Sequence, residues 1–360
     1  MLHFICEQES VWEYLAGTSK PVVLYGMGNG ADKILAGLAA AGKKVAGIFA
    51  SEEFVRGQKF HGLTVQTYTA LKEQLGDFII IVAFASERPE VLKRFYELAA
   101  THEVLAPHVP VFAGDEVVTT KLLQQREEKI RIVYENLADE QSREVFAGTL
   151  NYKLSGKISY LEKITTERKA DLQALFKFGR DEIYVDGGAY NGDTIQEFLN
   201  LNAGRYAKIW ACEPDARNFK KLQMLVSEKE WTRIICINKG LWSGSHKLPF
   251  SATSGRQAAL TEAGKGGKKT VLVPVTSLDE LLGTEQATYI KLDVEGAELA
   301  VIKGATKQLA GRPKLFVAAY HHDWDLWELP LAMWRAQPAY KIFLRKHPYV
   351  PDWELNFLAI

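Results

Sequence analysis

The sequence predicts an α/β protein of two doubly wound units joined by a helical connector. Three observations predict it. A strand, a glycine turn and a helix follow one another twice, at residues 22–41 and 183–202. Continuous apolar runs, among them 78–84 and 314–320, lack the alternation of a sheet with one wet face and read as strands covered on both sides. Between the two patterns the period changes: Val118, Leu122, Ile130, Val133 and Leu137 fall near helical spacing among many charges. These shifts set limits of 1–115 for an N-terminal α/β domain, 116–180 for the connector and 181–360 for a second α/β domain. A chain of 360 residues is long enough for each domain to bury its own core.

Composition narrows the partners. Hydrophobic residues make up 47% and charged residues 24%, ordinary for a soluble globular protein. Lys plus Arg and Asp plus Glu both number 44, so no global basic field recruits nucleic acid or an anionic membrane. The three cysteines, Cys6, Cys212 and Cys236, show no metal-type spacing and read as reduced thiols. No apolar run approaches ~18 residues and no signal-peptide pattern opens the chain. The expected setting is soluble and cytoplasmic, without membrane insertion.

In the first domain, Val11 to Leu15 form a short helix ahead of the strand 21–25. The turn Gly26-Met27-Gly28-Asn29-Gly30-Ala31 leads to a helix over 33–41 and a second strand over 44–49. This is a βαβ unit of Rossmann-like character. A dinucleotide site there would want an acid at the end of the second strand, where Ala50 and Ser51 stand and Glu52 comes one step late. A working nucleotide pocket and a purely structural domain are both open readings. Residues 78–84, 89–100 and 104–106 continue the unit as strand, helix and short strand. Gly57, Gly62 and Val65 form a turn pattern that resembles the N-terminal domain of sugar acyltransferases. Within the connector, 139–146 reads as a cap and a further helix.

The second domain carries the chemistry. The strand ending in Val185-Asp186 runs through Gly187-Gly188-Ala189-Tyr190-Asn191-Gly192 into a helix that starts at Asp193 or Thr194. Backbone N–H groups and a helix N-terminus there face a ligand, and Asp186 adds a fixed negative charge. An acid at this point suits a ligand that is cationic or rich in hydroxyls and amines. The strand 208–212 ends at Glu213-Pro214-Asp215, and Glu213 is placed either to hold ribose hydroxyls or to cap the next helix. The strand 233–237 leads to Asn238. Residues 244–270 are rich in Gly, Ser and Lys, and the basic cluster 264–269 reads as a loop tip. The strand 272–275 and a helix capped by Ser277 follow. The run Tyr289-Ile290-Lys291-Leu292-Asp293-Val294-Glu295-Gly296-Ala297-Glu298 is a strand that ends in acids before a helix. Asp293 faces the ligand crevice, Glu295 is ambiguous between substrate contact and structure, and Glu298 offsets a helix dipole. The strand 314–320 ends at His321, a side chain suited to general-base work. Two late strands, 340–345 and 354–360, form an antiparallel hairpin at the sheet edge.

On these residues the second half resembles the FkbM family of S-adenosylmethionine (SAM)-dependent methyltransferases. The resemblance is carried by Val185 to Thr194, by Glu213-Pro214-Asp215 with Asn218, and by Ile290 to Glu298. Gly304-Ala305, Tyr320-His321, Asp325-Leu326-Trp327 and Tyr340 to Arg345 continue it. It spans roughly 180–360 and departs in the last strand, at Asn356-Phe357-Leu358-Ala359, where Thr-Val-Leu-Tyr is more usual. It implies a class I methyltransferase fold: a doubly wound, seven-stranded mixed sheet with an antiparallel terminal hairpin. It also implies S-adenosyl-L-methionine as cofactor and O-methylation of a sugar, glycan, polysaccharide or secondary-metabolite hydroxyl, possibly nucleotide-linked. The cofactor contacts it implies are Asp186, Gly187, Gly188, Asn191, Gly192, Asp193, Thr194, Glu213, Pro214, Asn238 and Asp293. His321 is the expected base, with Asp293 or Glu295 as alternatives. No metal is assigned, although Asp293 with Glu295 could hold a divalent ion as in some sugar methyltransferases. The competing reading is a nucleotide- or nucleotide-sugar-sensing protein with a degenerate transferase half, and the acids at 186, 213 and 293 argue against it. An NAD-dependent oxidoreductase using the first glycine turn is disfavoured by the missing acid near Ala50.

Overall fold

The structure, a computed structural model, describes residues 2–112, 114–251, 259–260 and 270–360. The chain divides into two compact units. One comprises Met1–Tyr134, Arg143–Thr166 and Lys346–Glu354; the other comprises Glu135–Ser142, Glu167–Arg345 and Leu355–Ile360.

The first unit holds a six-stranded sheet of β1 (Val22–Tyr25), β2 (Val45–Phe49), β3 (Lys59–Phe60), β4 (Leu63–Gln66), β5 (Ile79–Val82) and β6 (Glu103–Leu105), in the order β3-β4-β2-β1-β5-β6. Its central pairs are parallel. All four residues of β1 and of β5 are buried, which is why their sequences do not alternate. The helix Val11–Gly17 opens on a capping box in which Ser10 and Glu13 satisfy each other's backbone N–H groups. The helix after β1, Asn29–Ala40, starts four residues ahead of the expected 33, because Gly28 at φ +118° ends the turn early. Lys153, Asp352 and His108 form an enclosed ionic cluster in this unit, with Lys153 Nζ 2.7 Å from Asp352 Oδ2. The segment expected as a connector is helical: Thr120–Gln125, Glu127–Asn136, Glu140–Ser155, Ile158–Ile164 and Arg168–Leu175.

The second unit is built on β7 (Ile183–Gly187), β8 (Lys208–Cys212), β9 (Ile234–Ile237), β10 (Gly240–Leu241), β11 (His246–Ser251), β12 (Ala259–Leu260), β13 (Thr270–Thr276), β14 (Tyr289–Leu292), β15 (Lys314–Ala318), β16 (Ile342–Lys346) and β17 (Leu355–Ala359). Seven of these form one sheet in the order β16-β17-β15-β14-β7-β8-β9. The strands from β15 to β9 run parallel, and β17 lies antiparallel to β15. This is the expected mixed sheet with its reversed edge. Tyr184, Phe198, Ile209, Leu222, Tyr289, Phe316 and Leu358 form its core. Each large apolar side chain so enclosed stabilises the unit by roughly 1.5–3 kcal/mol.

The stretch 244–270, given no element in the sequence, contains strands: β11 pairs antiparallel with β13, and with β10 and β12 they form a four-stranded sheet. Leu248 and Phe250 on one strand and Val273 and Val275 on the other turn inward at period two, an alternation masked in the sequence by Pro249, Pro274 and the surrounding Gly, Ser and Lys. The basic cluster 264–269 lies outside the described residues.

Candidate active site

Parallel strands point their carboxyl ends the same way, and open α/β sheets bind ligands at that edge. The expected site residues collect there. Asp186 and Gly187 end β7, Glu213 and Pro214 follow β8, Asn238 follows β9, Asp293 follows β14, and His321 stands three residues beyond β15.

The glycine turn is fixed from beneath. Gly188 has φ +79°, and a Cβ placed on it would lie 1.9 Å from the carbonyl oxygen of Asp293. Only glycine permits so close a passage of two backbones. The N–H groups of Gly188 and Ala189 both donate to the Cys212 carbonyl at 3.0 Å. Gly192, at φ +93°, caps the helix Asp193–Leu201, and the Asn191 side chain accepts from the Asp193 N–H. Asp186 has no exposed surface. Its Oδ2 accepts from the Thr194 hydroxyl at 2.5 Å, and its Oδ1 lies 3.2 Å from Lys291 Nζ.

Sequence reasoning assigned Lys291 no role. The β7–β14 register sets it directly beside Asp186. Its ammonium donates to the Gly188 carbonyl at 2.9 Å. Burial favours its neutral form, but the charges of Asp186, Asp293 and Asp193 outweigh burial and hold its pKa above the usual lysine range. The available signal was a lone lysine inside an apolar strand that runs into acids.

Glu213 is buried, and both its oxygens are engaged: Oε2 accepts from Tyr190 N–H at 2.9 Å and Oε1 from Asp215 N–H at 2.8 Å. Burial pushes its carboxyl up to about 7, against the backbone hydrogen bonds that favour the charge. The cap of the helix Ala216–Glu228 is Asp215, so Glu213 is spared that task. The Asn238 amide donates to the carbonyls of Glu213 and Pro214 and ties β9 to this corner.

The acidic end of the crevice gathers around His321, which is 3% exposed. Its Nδ1 lies 3.0 Å from Glu298 Oε1; its Nε2 lies 3.4 Å from Glu295 and 3.5 Å from Asp293. Burial alone would lower its pKa, but Glu298 and Glu295 raise it well above the ordinary histidine value. The Tyr320 hydroxyl donates to Asp293 Oδ1 at 3.0 Å. Burial works against the charge on Asp293, yet Lys291, His321 and Tyr320 together hold its carboxyl below the usual range. Burial raises the Glu295 carboxyl, and Glu295 sits in the left-handed region at φ +54°. Glu298 stands in the first turn of the helix Glu298–Lys303, as the helix-dipole role requires, and is fully enclosed; its Oε1 accepts from Val294 N–H at 2.8 Å. Asp325, also buried, accepts from His322 N–H, and burial with the Glu298 charge pushes its carboxyl up to about 7.

The doubly wound seven-stranded sheet with a reversed edge, a glycine turn after its central strand and acids after the neighbouring strands is a methyltransferase fold. Residues 186–347 match the family model described as the Methyltransferase FkbM domain. No curated protein matches the sequence. Among solved structures, the chain is similar to the methyltransferase FkbM from Methylobacillus flagellatus KT, at 20% identity over 99% of this chain and 95% of that one, with a TM-score of 0.74. An rRNA methylase from Streptococcus thermophilus shares 15% identity over 53% of this chain and 91% of its own, with a TM-score of 0.34. Fibrillarin from Aeropyrum pernix, solved with S-adenosyl-L-methionine, shares 13% identity over 53% of this chain and 73% of its own, at a TM-score of 0.34. Among the described residues no helix is long and apolar enough to cross a membrane.

Proposed function

We propose that this chain transfers the methyl group of SAM to a hydroxyl of a sugar, glycan or secondary-metabolite acceptor. The observation that carries the reading is the juxtaposition of the glycine turn with partly exposed carboxylates. The crevice offers a cofactor seat and, beside it, groups able to take a proton. SAM supplies the activated methyl. The chain's task is to align acceptor oxygen, methyl carbon and sulfur, and to receive the hydroxyl proton.

In this reading Gly187, Gly188, Asn191, Gly192, Asp193 and Thr194 line the methionine end. Pro214 and Asn238 shape the corner where Glu213 meets the ribose hydroxyls. Asp186, without exposed surface, acts through Thr194 and Lys291, and Asp293 faces the amino group or the sulfonium. The C–S bond breaks as the C–O bond forms, the sulfonium becomes a neutral thioether, and the proton passes to a carboxylate.

Relative exposure favours Glu295 over His321 as the base in this reading. The His321 ring is 3% exposed and faces carboxylates with both nitrogens, whereas the Glu295 side chain is 36% exposed. His321 then positions Glu295 and Asp293. The test is S-adenosylhomocysteine release over a panel of sugars, nucleotide sugars and glycans, with SAM calorimetry in parallel. Glu295→Gln should lower kcat by ~10²–10⁴ while SAM affinity holds. Full turnover by that variant removes Glu295 as base, and a wild-type chain that binds no SAM removes the whole reading.

A further inference from the structure

We propose that Asp293, Glu298 and His321 form a divalent-cation site, and that its donor set selects Mn²⁺ or Zn²⁺. Each of the three offers one ligand atom, and these atoms lie within 4.8 Å of one another. Two carboxylate oxygens and one imidazole nitrogen leave coordination positions open for water or an acceptor oxygen. The nitrogen favours a transition cation over Mg²⁺ or Ca²⁺, which prefer all-oxygen shells.

Two further observations point to a ligand rather than a closed structural network. Glu298 has no exposed surface, yet its Oε2 meets no hydrogen-bond donor among the described residues. Its Oε1 is pinned by Val294 N–H and lies 3.0 Å from His321 Nδ1, so the carboxylate is held in place against the imidazole. A buried carboxylate oxygen left without a partner is costly, and native structures normally satisfy it. Charge is the second observation. Asp293, Glu295 and Glu298 converge on a single imidazole, and Asp325 beside them is 1% exposed with an orphaned Oδ1 of its own. Three carboxylates against one ring crowd like charges that a divalent cation draws together. The Tyr320 hydroxyl on Asp293 Oδ1 supplies the outer hydrogen bond by which such sites orient their ligands.

The catalytic use of the site rests on the methyltransferase reading: a cation here holds the acceptor oxygen and eases loss of its proton to Glu295. Cation binding itself is tested without that reading. The full chain is treated with a chelator and titrated calorimetrically with Mn²⁺ and, separately, with Zn²⁺; SAM binding is measured on the same sample. One equivalent of at least one of these ions should bind, and affinity should fall at least about tenfold in Glu298→Gln and in Asp293→Asn. Hyperfine coupling of bound Mn²⁺ to nitrogen should report His321 in the unsubstituted protein and vanish in His321→Gln. A wild-type chain that binds SAM but neither ion overturns the proposal, and the cluster is then an imidazolium bridging carboxylates. Equal affinity in both carboxylate variants, or bound Mn²⁺ without nitrogen coupling, overturns it too. Cation binding without SAM binding would instead overturn the methyltransferase reading and leave the cation site standing.

Discussion

Replacing Lys291 by methionine keeps most of the side-chain volume and removes its charge. The ammonium lies 3.2 Å from Asp186 Oδ1, and the two side chains are 4% and 0% exposed. At an effective dielectric of ~20 that separation corresponds to about 5 kcal/mol of attraction. Removing one partner of an enclosed pair typically costs ~3–5 kcal/mol, because the remaining charge has nothing to face. For a unit of this size each kcal/mol moves Tm by roughly 2–4 °C, so Lys291→Met should lower the melting temperature by on the order of 10 °C. The Gly188 carbonyl loses its donor in the same step, and SAM affinity should fall at least about tenfold as the glycine turn loosens. Circular dichroism melting and SAM calorimetry read the two effects. Asp186→Asn in the same background separates pairing from packing: the double variant should lose less than the sum of the single variants, by ~2 kcal/mol or more. A Tm within ~2 °C of wild type, with SAM affinity unchanged, would refute the claim that this pair holds the turn.

Two further outcomes follow from single positions. Gly188→Ala must push a methyl group against the Asp293 carbonyl, 1.9 Å away, so it should abolish SAM binding, whereas Gly204→Ala shares the left-handed strain (φ +70°) but has open space around its Cβ and should keep it; calorimetry on both decides. Lys346 is fully enclosed in the first unit, and burial pushes its ammonium down to about 7, although it donates to the carbonyls of His347 and Tyr349. The folded chain therefore releases this proton near pH 7 while the unfolded chain keeps it to about pH 10, so stability should rise between those limits. Lys346→Met should flatten the rise in denaturant midpoints measured across that range.

The legible parts of the fold were those written as local pattern. Uniform apolar runs gave the central strands, and the acids at 186, 213 and 293 marked strand ends because an unpaired charge is costly inside a strand buried on both faces. The positions that resisted reading depend on partners distant in sequence. Lys291 looks like a misplaced charge until the β7–β14 register sets it beside Asp186. His321 reads as an accessible base until Glu298, 23 positions earlier, closes over its Nδ1. The β11–β13 pair was hidden because prolines and a polar surround mask an alternation that only cross-strand pairing reveals.

The two glycine turns of the chain show what such a motif does and does not signify. In the first, Gly26 at φ +102° makes room for an aromatic ring: a Cβ there would lie 2.3 Å from Phe84 Cδ1, and Phe84 packs edge-on against Tyr25 and Phe95. Gly30 admits the Ala83 carbonyl, and the place where a ribose-binding acid would stand holds buried Ala50 and then Ser51, whose hydroxyl meets Tyr25. In the second, Gly188 admits the backbone of the neighbouring strand's exit, and that backbone carries Asp293. The same residue type thus closes a core in one unit and draws two strand ends together beneath a charged crevice in the other. The spacing of glycines reports only that something comes close. What comes close, a ring or the root of a carboxylate, separates packing from chemistry, and in the proposed reading it sets the glycine turn after β7 against the acids that follow β14.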